Sequence, residues 1–154
     1  MVRWVSGVLG LVAAGWLAMA PTPVRADGSA FLVHGNWCGS GNRALPGIGA
    51  LPPLDPLDAA CMRHDVCYAV RGSMNCGCDL AFMSELRHMP YPGSHLSVKA
   101  RAMYDTISML PCAGPEAMYK PMYFLGQLAS DAFSGRAGPW EVPLRMGYML
   151  SHAY

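Results

Sequence analysis

The fold is constrained most strongly by residues 55–68, DPLDAACMRHDVCY, which combine a helix start with closely spaced cysteines. Asp55 suits the N-cap and Pro56 the first helical position, so the sequence predicts a helix over residues 56–70. At about 100° per residue, several side chains fall at three- and four-residue steps on one face of this helix: Cys61, His64, Cys67 and Tyr68. We expect that face to be buried and cross-linked.

An apolar run, residues 4–20, follows a single arginine near the start of the chain. Val24 and Ala26 then place apolar or small residues at the minus-three and minus-one positions of a cleavage site. This pattern is typical of an export signal, which we expect to occupy residues 1–26. The alternative is a membrane anchor, but a span needs about 20 apolar residues, and this run is shorter and broken by glycine. The domain of residues 27–154 would then be secreted, to the extracellular space or to a bacterial periplasm.

The exported domain would be nearly neutral, with nine basic and ten acidic side chains once the signal is removed. No basic stripe is present, so we expect no nucleic-acid partner, and nothing in the sequence predicts a protein partner. Six cysteines, an even number, behind an export signal predict three disulfides in an oxidising compartment. The length is that of one domain.

A long segment rich in glycine and proline, residues 34–56, precedes the helix. It cannot be regular throughout, and residues 27–34 are too few for a substantial N-terminal helix. Gly39 and Gly41 stand at alternate positions, which lets the backbone turn carbonyl and N–H groups toward a common point. A disulfide from Cys38 would tie this loop to something rigid.

The rest of the chain predicts further helices over residues 76–87, 94–110 and 116–134, separated by turns and prolines. The short connection between the first two helices makes them antiparallel neighbours. The tail, residues 135–154, has no clear pattern and stays unassigned. The expected fold class is therefore all-α: a small disulfide-linked bundle in which two antiparallel helices and a glycine-rich loop carry the site.

One pairing of the cysteines would fasten the glycine loop to the first helix and the first helix to the second: Cys38–Cys61 and Cys67–Cys78, which leaves Cys76 and Cys112 for each other. The second link would lie within a turn of both His64 and Asp79. Asp79 could then accept a hydrogen bond from the His64 ring and fix its tautomer, which leaves the other ring nitrogen as a base. With no serine or cysteine nucleophile in this pair, water would be the attacking group of a hydrolase.

Asp65, the residue after His64, points to a different target. The link from Cys38 would bring the glycine loop over Asp65, whose two oxygens could act as ligands together with backbone carbonyls: those of Trp37, Gly39 and Gly41. A flexible all-oxygen site of about seven ligands, with places left for water or substrate, suits calcium rather than zinc. Calcium beside a general base would supply the Lewis acid that ester hydrolysis needs.

At these residues the sequence resembles a known family, the secreted phospholipase A2 enzymes. Residues 37–41, WCGSG, are similar to the family's calcium loop, and residues 58–68 are similar to its active-site helix. Residues 76–79, CGCD, match its second catalytic helix. The matching region covers residues 36–86, about a third of the chain, and three spaced motifs that agree make the resemblance specific.

The resemblance implies a role for each residue of the site. His64 would be the base that activates water, Asp79 would orient it, and Tyr68 would form a hydrogen bond near Asp79. Asp65 and the loop carbonyls would hold calcium, and the N–H of Gly39 would help to bind the oxyanion. The implied reaction is calcium-dependent hydrolysis of the sn-2 ester of a glycerophospholipid, which yields a lysophospholipid and a free fatty acid. The enzyme would act peripherally, on the surface of a phospholipid membrane or micelle.

The sequence also departs from the family pattern. Residues 60–61 hold one cysteine where the family usually has two, and Asn36 stands where many members have another loop cysteine. There is no room for the N-terminal helix that lines the acyl channel in animal enzymes. The chain therefore resembles a divergent or microbial-type member, with channel walls supplied by segments such as residues 116–133. The family's second network tyrosine has two candidates here, Tyr91 and Tyr104.

Two other functions fit parts of the pattern. A structural zinc site could use the cysteines with His64, although export favours disulfides and C-x-C is not the usual zinc spacing. A catalytically silent phospholipase-like protein, either lipid-binding or toxin-type, would be signalled by loss of the calcium aspartate or the catalytic histidine, and both are present. The methionine and aromatic positions at 118–133 and 140–149 are expected in the core rather than on a lipid-binding surface.

Overall fold

The computed structural model of the chain describes residues 31–40, 51–90 and 92–153. The expected export signal and its cleavage site lie outside these residues, as do Gly41 and Tyr91. Among the helices in the described ranges, none combines the length and the apolar character that crossing a membrane requires.

The first element is a short antiparallel hairpin of β1 (Phe31–His34) and β2 (Cys38–Ser40). His34 pairs with Cys38 across the turn, next to an irregularity in the strand register. The sequence predicted neither strand, because residues 34–56 have the composition of an irregular loop and helices alone were expected. The fold is mostly helical, and the hairpin is an addition to it.

The turn of the hairpin is held by Asp58, a fully buried residue in the first turn of the helix that follows. Its Oδ1 accepts a hydrogen bond from the Trp37 N–H at 2.8 Å. Its Oδ2 accepts bonds from the N–H groups of Asn36 and Leu54, both at 2.9 Å. Gly35, at a φ of +57°, approaches so closely that an added Cβ would lie 2.3 Å from Asp58 Cγ. The turn is therefore fixed by tertiary contacts.

Five α-helices follow in the described residues: α1 (Pro56–Arg71), α2 (Cys76–His88), α3 (Gly93–Met109), α4 (Tyr119–Phe133) and α5 (Glu141–Ser151). Asp55 is the N-cap of α1, where its side chain accepts a bond from the Asp58 N–H at 2.9 Å. A short 3-10 turn over Pro115–Met118 precedes α4. The unassigned tail contains α5.

Three disulfides join these elements and use all six cysteines: Cys38–Cys61, Cys67–Cys78 and Cys76–Cys112. They link β2 to α1, α1 to α2, and the start of α2 to the segment after α3. This is the pairing considered from the sequence. Arg63 of α1 pairs with Glu85 of α2, and Cys67, one turn later in α1, is bonded to Cys78, earlier in α2. The two helices are therefore antiparallel.

The core lies between the hairpin, α1, α2 and α3, and α5 packs on α3. Its main apolar side chains are Val33, Trp37, Leu57, Ala60, Phe82, Met83, Leu86, Ala100, Met103 and Met149. Two polar contacts fix α5 in place. Lys99 Nζ donates to the His152 carbonyl at 2.6 Å, and Arg145 donates two N–H groups to Oδ2 of Asp105, at 2.9 and 2.7 Å. Because unpaired buried charges are costly, these pairs favour one packing of α5 over others.

Helix α4 turns polar residues inward and many apolar residues outward. Its buried residues are Lys120 and Asp131. We define the α4 surface as the exposed apolar side chains of α4 and the turn before it: Met118, Tyr119, Met122, Tyr123 and Leu125. Two further aromatic side chains, Phe133 and Trp140, are also exposed, at 93% and 70%. The expectation that these positions form core is wrong for most of them, because ion pairs rather than apolar contacts decide how α4 is oriented.

Candidate active site

His64 of α1 and Asp79 of α2 are in direct contact, with Nε2 of the imidazole 3.0 Å from Oδ1 of the carboxylate. Both side chains are buried, at 8% and 1% exposed. The Cys67–Cys78 disulfide sets this contact, because Cys67 lies one turn after His64 and Cys78 directly precedes Asp79. A carboxylate on one ring nitrogen fixes the tautomer, with the proton on Nε2. Nδ1 keeps its lone pair and has no hydrogen-bond partner among the described residues.

Two aromatic side chains hold the imidazole. Tyr68, one turn after His64, donates its O–H to Oδ1 of Asp79, and its ring centroid lies 4.2 Å from that of His64. Phe82, which no motif identified, stacks on the imidazole with 4.6 Å between centroids and 17° between planes. Burial and the Asp79 carboxylate raise the pKa of the Tyr68 phenol, so that it remains a hydrogen-bond donor.

The second oxygen of Asp79 is bound by Lys120, a residue that no sequence motif identified. Lys120 Nζ donates to Oδ2 of Asp79 and to the Leu110 carbonyl, which lies 2.8 Å away, and the lysine is 2% exposed. It comes from the inward face of α4, 41 residues after Asp79 in sequence. The available signal was helical spacing, since Lys120, Phe124 and Asp131 share one face of α4. Helical spacing alone does not show that Lys120 binds Asp79, because it does not identify the carboxylate that faces the lysine.

The contacts of Asp79 keep its carboxylate ionised. Burial by itself would raise the pKa of Asp79. Hydrogen bonds from His64, Lys120 and Tyr68, together with the charge of Lys120, outweigh burial and lower the pKa below its ordinary value. An ionised Asp79 stabilises positive charge on the His64 ring, which is what a histidine acting as a base requires.

Neither candidate for the second network tyrosine contacts Asp79 in the described part of the chain. Tyr104 is buried, but it lies under the guanidinium of Arg87, 5.9 Å from the ring centroid. Tyr91 is outside the described residues. The additional partner of the carboxylate is Lys120 instead, so the network holds one tyrosine and one lysine.

Asp65, directly after His64, has a buried oxygen without a partner: its Oδ2 forms no hydrogen bond among the described residues. Burial, and to a smaller extent the negative charge of Asp58, raise the pKa of Asp65 to about 7. Buried carboxylate oxygens are rarely left unbonded, because the desolvation cost is then uncompensated. A bound cation would compensate it.

The glycine loop is tethered close to this carboxylate. Asp65 lies one helical turn after Cys61, on the same face of α1, and Cys61 is bonded to Cys38 of β2. Trp37 and Gly39 are the neighbours of Cys38, so their backbone is anchored to α1 one turn before Asp65. The disulfide therefore brings loop backbone and carboxylate into one region of the molecule.

The donors in this region fit calcium. Asp65 offers carboxylate oxygens, and the loop offers backbone carbonyls, which are the hard oxygen donors that calcium prefers. Gly41, the third carbonyl predicted from the sequence, lies outside the described residues. In the ranges that the structure describes, no three His, Cys, Asp or Glu side chains form a group that could hold a metal ion. A cation at Asp65 would therefore depend on the loop carbonyls.

A structural zinc site built on cysteines has no ligands in this chain. All six cysteines are in disulfides, and none is free. His64, which that alternative would also use, is in contact with Asp79. The cysteines therefore serve as covalent links between elements.

Comparison with known proteins adds no relative: no family model matches the chain, nor does any curated protein or solved structure. The likeness to secreted phospholipases A2 therefore rests on the motifs between residues 37 and 79.

Proposed function

We propose that this chain is an exported, calcium-dependent hydrolase that cuts the sn-2 ester of glycerophospholipids. The observation that carries the proposal is the state of His64. Its Nε2 is hydrogen-bonded to the buried, ionised carboxylate of Asp79, and its Nδ1 has no hydrogen-bond partner among the described residues. The next residue, Asp65, has a buried carboxylate oxygen that forms no hydrogen bond in the same part of the chain. A positioned base beside a carboxylate suited to a cation is the pair of elements that water-mediated ester hydrolysis needs.

In the proposed reaction, Nδ1 of His64 takes a proton from the water molecule that attacks the ester carbonyl. Asp79 stabilises the imidazolium that results, and Tyr68 and Lys120 hold Asp79 in place. The bond from the carbonyl carbon to the water oxygen forms, and the bond to the ester oxygen then breaks. The proton passes from His64 to that ester oxygen. The products are a free fatty acid and a lysophospholipid.

The proposed calcium ligands are Asp65 and the carbonyls of Trp37, Gly39 and Gly41. When bound, calcium supplies the Lewis acid that polarises the ester carbonyl and offsets the developing negative charge. The N–H of Gly39 is proposed to donate to the same oxyanion. Because the pKa of Asp65 is raised to about 7, its carboxyl group keeps a proton up to about that pH. Binding of a cation there should therefore release a proton, and it should become tighter as the pH rises.

The α4 surface supports a substrate that is presented in a lipid aggregate. Met122, Tyr123 and Leu125 are 65%, 60% and 63% exposed, and they lie on the helix that delivers Lys120 to the site. Contiguous exposed apolar side chains of this kind mark surfaces that contact lipid or another protein. We propose peripheral contact with a phospholipid membrane or micelle.

The test is a hydrolysis assay on the oxidised chain of residues 27–154, with phosphatidylcholine vesicles whose sn-1 and sn-2 acyl chains differ. We expect release of the sn-2 fatty acid, loss of release on addition of a chelator, and recovery on addition of calcium. Release that a chelator does not change would contradict the calcium requirement, and release of the sn-1 acid would contradict the proposed bond.

The same assay separates the enzyme from the alternative, a catalytically silent lipid-binding or toxin-type protein. Vesicle binding without any release of fatty acid, with calcium present, would favour the silent protein. Direct titration with calcium, followed by the shift in thermal unfolding, is an independent readout of the Asp65 site. Asp65→Asn should remove that shift.

A further inference from the structure

A cavity of about 410 Å³ lies between the end of α2 and the helices α3, α4 and α5. Six charged side chains line it: Arg87, Arg101, Arg136, Arg145, Asp105 and Asp131. We call it the arginine cavity. None of the residues of the candidate active site lines it, and Arg87 lies eight residues after Asp79 in α2, which is about 12 Å along the helix axis. It is therefore a separate place in the fold.

The two aspartates of the arginine cavity are buried and hold three of the guanidinium groups. Asp131, 5% exposed, accepts from Arg101 Nη2 at 2.6 Å on one oxygen and from Arg136 Nε at 3.2 Å on the other. Asp105, 3% exposed, accepts two bonds from Arg145 on its Oδ2. Because the aspartates lie in the interior, they fix these arginines around the cavity in advance of any ligand.

The charges of the arginine cavity do not cancel. Four guanidinium groups face two carboxylates, so the lining carries two positive charges in excess. Glu141 also contacts Arg145, at 3.3 Å from Nη1, but it does not line the cavity. Arg87 has no carboxylate partner among the described residues and lies over the Tyr104 ring. A positive excess in a recess favours an anionic ligand.

The number of free donors, and the different elements that carry them, favour a tetrahedral anion. A guanidinium has five N–H groups, and Arg101 uses one nitrogen on Asp131, while Arg87 uses none on a carboxylate. The arginines come from α2, α3, α5 and the segment after α4, so they line the cavity from several elements of the fold. A phosphate group, with several oxygens around one centre, can accept from guanidinium groups on different elements, whereas a carboxylate offers only two oxygens in one plane.

We propose that the arginine cavity binds a phosphate group, carried by a phospholipid or free in solution. A shallow recess lined by Tyr119, Met122 and Tyr123 shares Arg87 and Gln127 with the cavity. A phosphate bound at Arg87 would therefore lie beside the α4 surface, where the apolar part of a lipid could rest. The inference does not depend on hydrolysis, because it uses none of His64, Asp65 or Asp79.

The test measures binding to the oxidised protein in calcium-free buffer, by the shift in thermal unfolding and by sedimentation with vesicles. The soluble probes are inorganic phosphate, with acetate and chloride at equal ionic strength as controls. The vesicle probes are phosphatidylcholine and phosphatidylglycerol, compared with vesicles of a phosphate-free glycolipid. Stabilisation by inorganic phosphate identifies a free-phosphate site, and binding only to phosphate-bearing vesicles identifies a lipid head-group site.

The diagnostic variants are Arg87→Gln and Arg101→Gln, and Arg87 is the more informative because it has no carboxylate partner among the described residues. Each should weaken binding of the effective probe by about tenfold or more, the effect of one charge-assisted hydrogen bond. The matched control is Arg63→Gln, an exposed arginine paired with Glu85 outside the cavity, which should bind as the parent does. His64→Gln should also bind phosphate as the parent does, even though its hydrolysis is much slower.

Three outcomes would overturn the proposal: no binding of phosphate in either form, equal effects of acetate and phosphate, or equal weakening by Arg63→Gln and Arg87→Gln. If Arg101→Gln alone unfolds the protein because Asp131 loses a partner, Arg87→Gln still decides the matter.

Discussion

Lys120 and Asp79 form a buried ion pair that joins α4 to α2, on the carboxylate oxygen that His64 does not use. Lys120 is 2% and Asp79 1% exposed, so neither charge is screened by water. Tyr68 shares the other oxygen with His64. Three side chains from two other helices, α1 and α4, therefore set the position and protonation state of the carboxylate behind the imidazole.

We predict that Lys120→Met destabilises the protein by about 3–5 kcal/mol, because it leaves the buried charge of Asp79 without its cationic partner. The pKa of Asp79 is lower in the folded protein than in the unfolded chain, where it is about 4. The ionised carboxylate therefore stabilises the fold above about pH 4, and this stabilisation is lost as the pH falls through the pKa of the folded state. Without Lys120 the folded pKa rises, so the acid limb of the pH–rate profile should move to higher pH. Urea unfolding and the pH profile measure the two effects.

Lys99→Met is the matched control for that prediction. Lys99 is also buried, at 1% exposed, but it donates to the carbonyl of His152 and makes no contact with Asp79. It should lower the free energy of unfolding and leave the acid limb where it is. If Lys120→Met and Lys99→Met moved the pH profile equally, Lys120 would have no specific role in the network.

Replacing His64 by Gln should lower the rate of hydrolysis by about 10²- to 10⁴-fold, the usual contribution of a general base. The circular dichroism spectrum and the thermal midpoint should change little, because the three disulfides remain. His88→Gln, at an exposed histidine near the end of α2, is the control and should keep full activity. A His64→Gln protein that turns over at the parent rate would exclude His64 as the base.

In the metal-free protein, Asp65 should make stability fall as the pH rises. Its pKa is about 7 in the fold against an ordinary value of 3.8, so the folded state favours the protonated acid. The penalty is absent below about pH 4, grows as the pH rises to about 7, and stays constant above that. Urea unfolding with a chelator present should show the decline, and calcium should reverse it.

Asp65→Asn removes the ionisable group and is the test of that assignment. Its free energy of unfolding should not decline over the same pH range, and calcium should no longer stabilise it. If the variant declined in parallel with the parent protein, another group would be responsible.

Gly35→Ala should destabilise the hairpin by more than about 1 kcal/mol, because its φ of +57° disfavours a side chain and the new Cβ would lie 2.3 Å from Asp58 Cγ. The control is Gly147→Ala in α5, where an added Cβ meets nothing within 4 Å. That change should stabilise the protein by about 0.5–1 kcal/mol, the usual gain from replacing a helical glycine. Thermal unfolding measures both, and equal effects would contradict the close approach of Gly35 to Asp58.

Met122→Glu should reduce hydrolysis of vesicles by about tenfold or more, since it removes an apolar contact and adds a charge to the α4 surface. Hydrolysis of a short-chain phospholipid below its micelle concentration should stay near the parent rate. Val70→Glu changes a residue that is 79% exposed on α1, and it serves as the control for a new surface charge. Equal losses on both substrates would argue against a role in surface binding.

Local signals in the sequence predict part of this fold well. Asp55 and Pro56 predict the start of α1, and the side chain of Asp55 does accept a bond from the Asp58 N–H. The prediction of a second helix over residues 76–87 matches α2, because its capping and breaking residues act within a few positions. The contact of His64 with Asp79 could be expected once one cysteine pairing was assumed.

The parts that the sequence did not predict depend on distant partners. The hairpin needs Asp58, which bonds to backbone groups more than 20 residues away. Helix α4 is oriented by Lys120 and Asp131, whose partners lie on other helices, so its apolar pattern was assigned to the wrong side. Helix α5 has no side-chain cap to mark its start.

The Cys67–Cys78 bond has a consequence for where the protein can be active. In a reducing cytosol that bond would not form, and neither would the link that tethers β2 to α1. Newly made chain would then lack the two bonds that position imidazole, carboxylate and loop, and the proposed hydrolysis should be absent until they form. Oxidation of the cysteines would then be the activating step. The disulfides would determine when and where the site forms, as well as making it rigid.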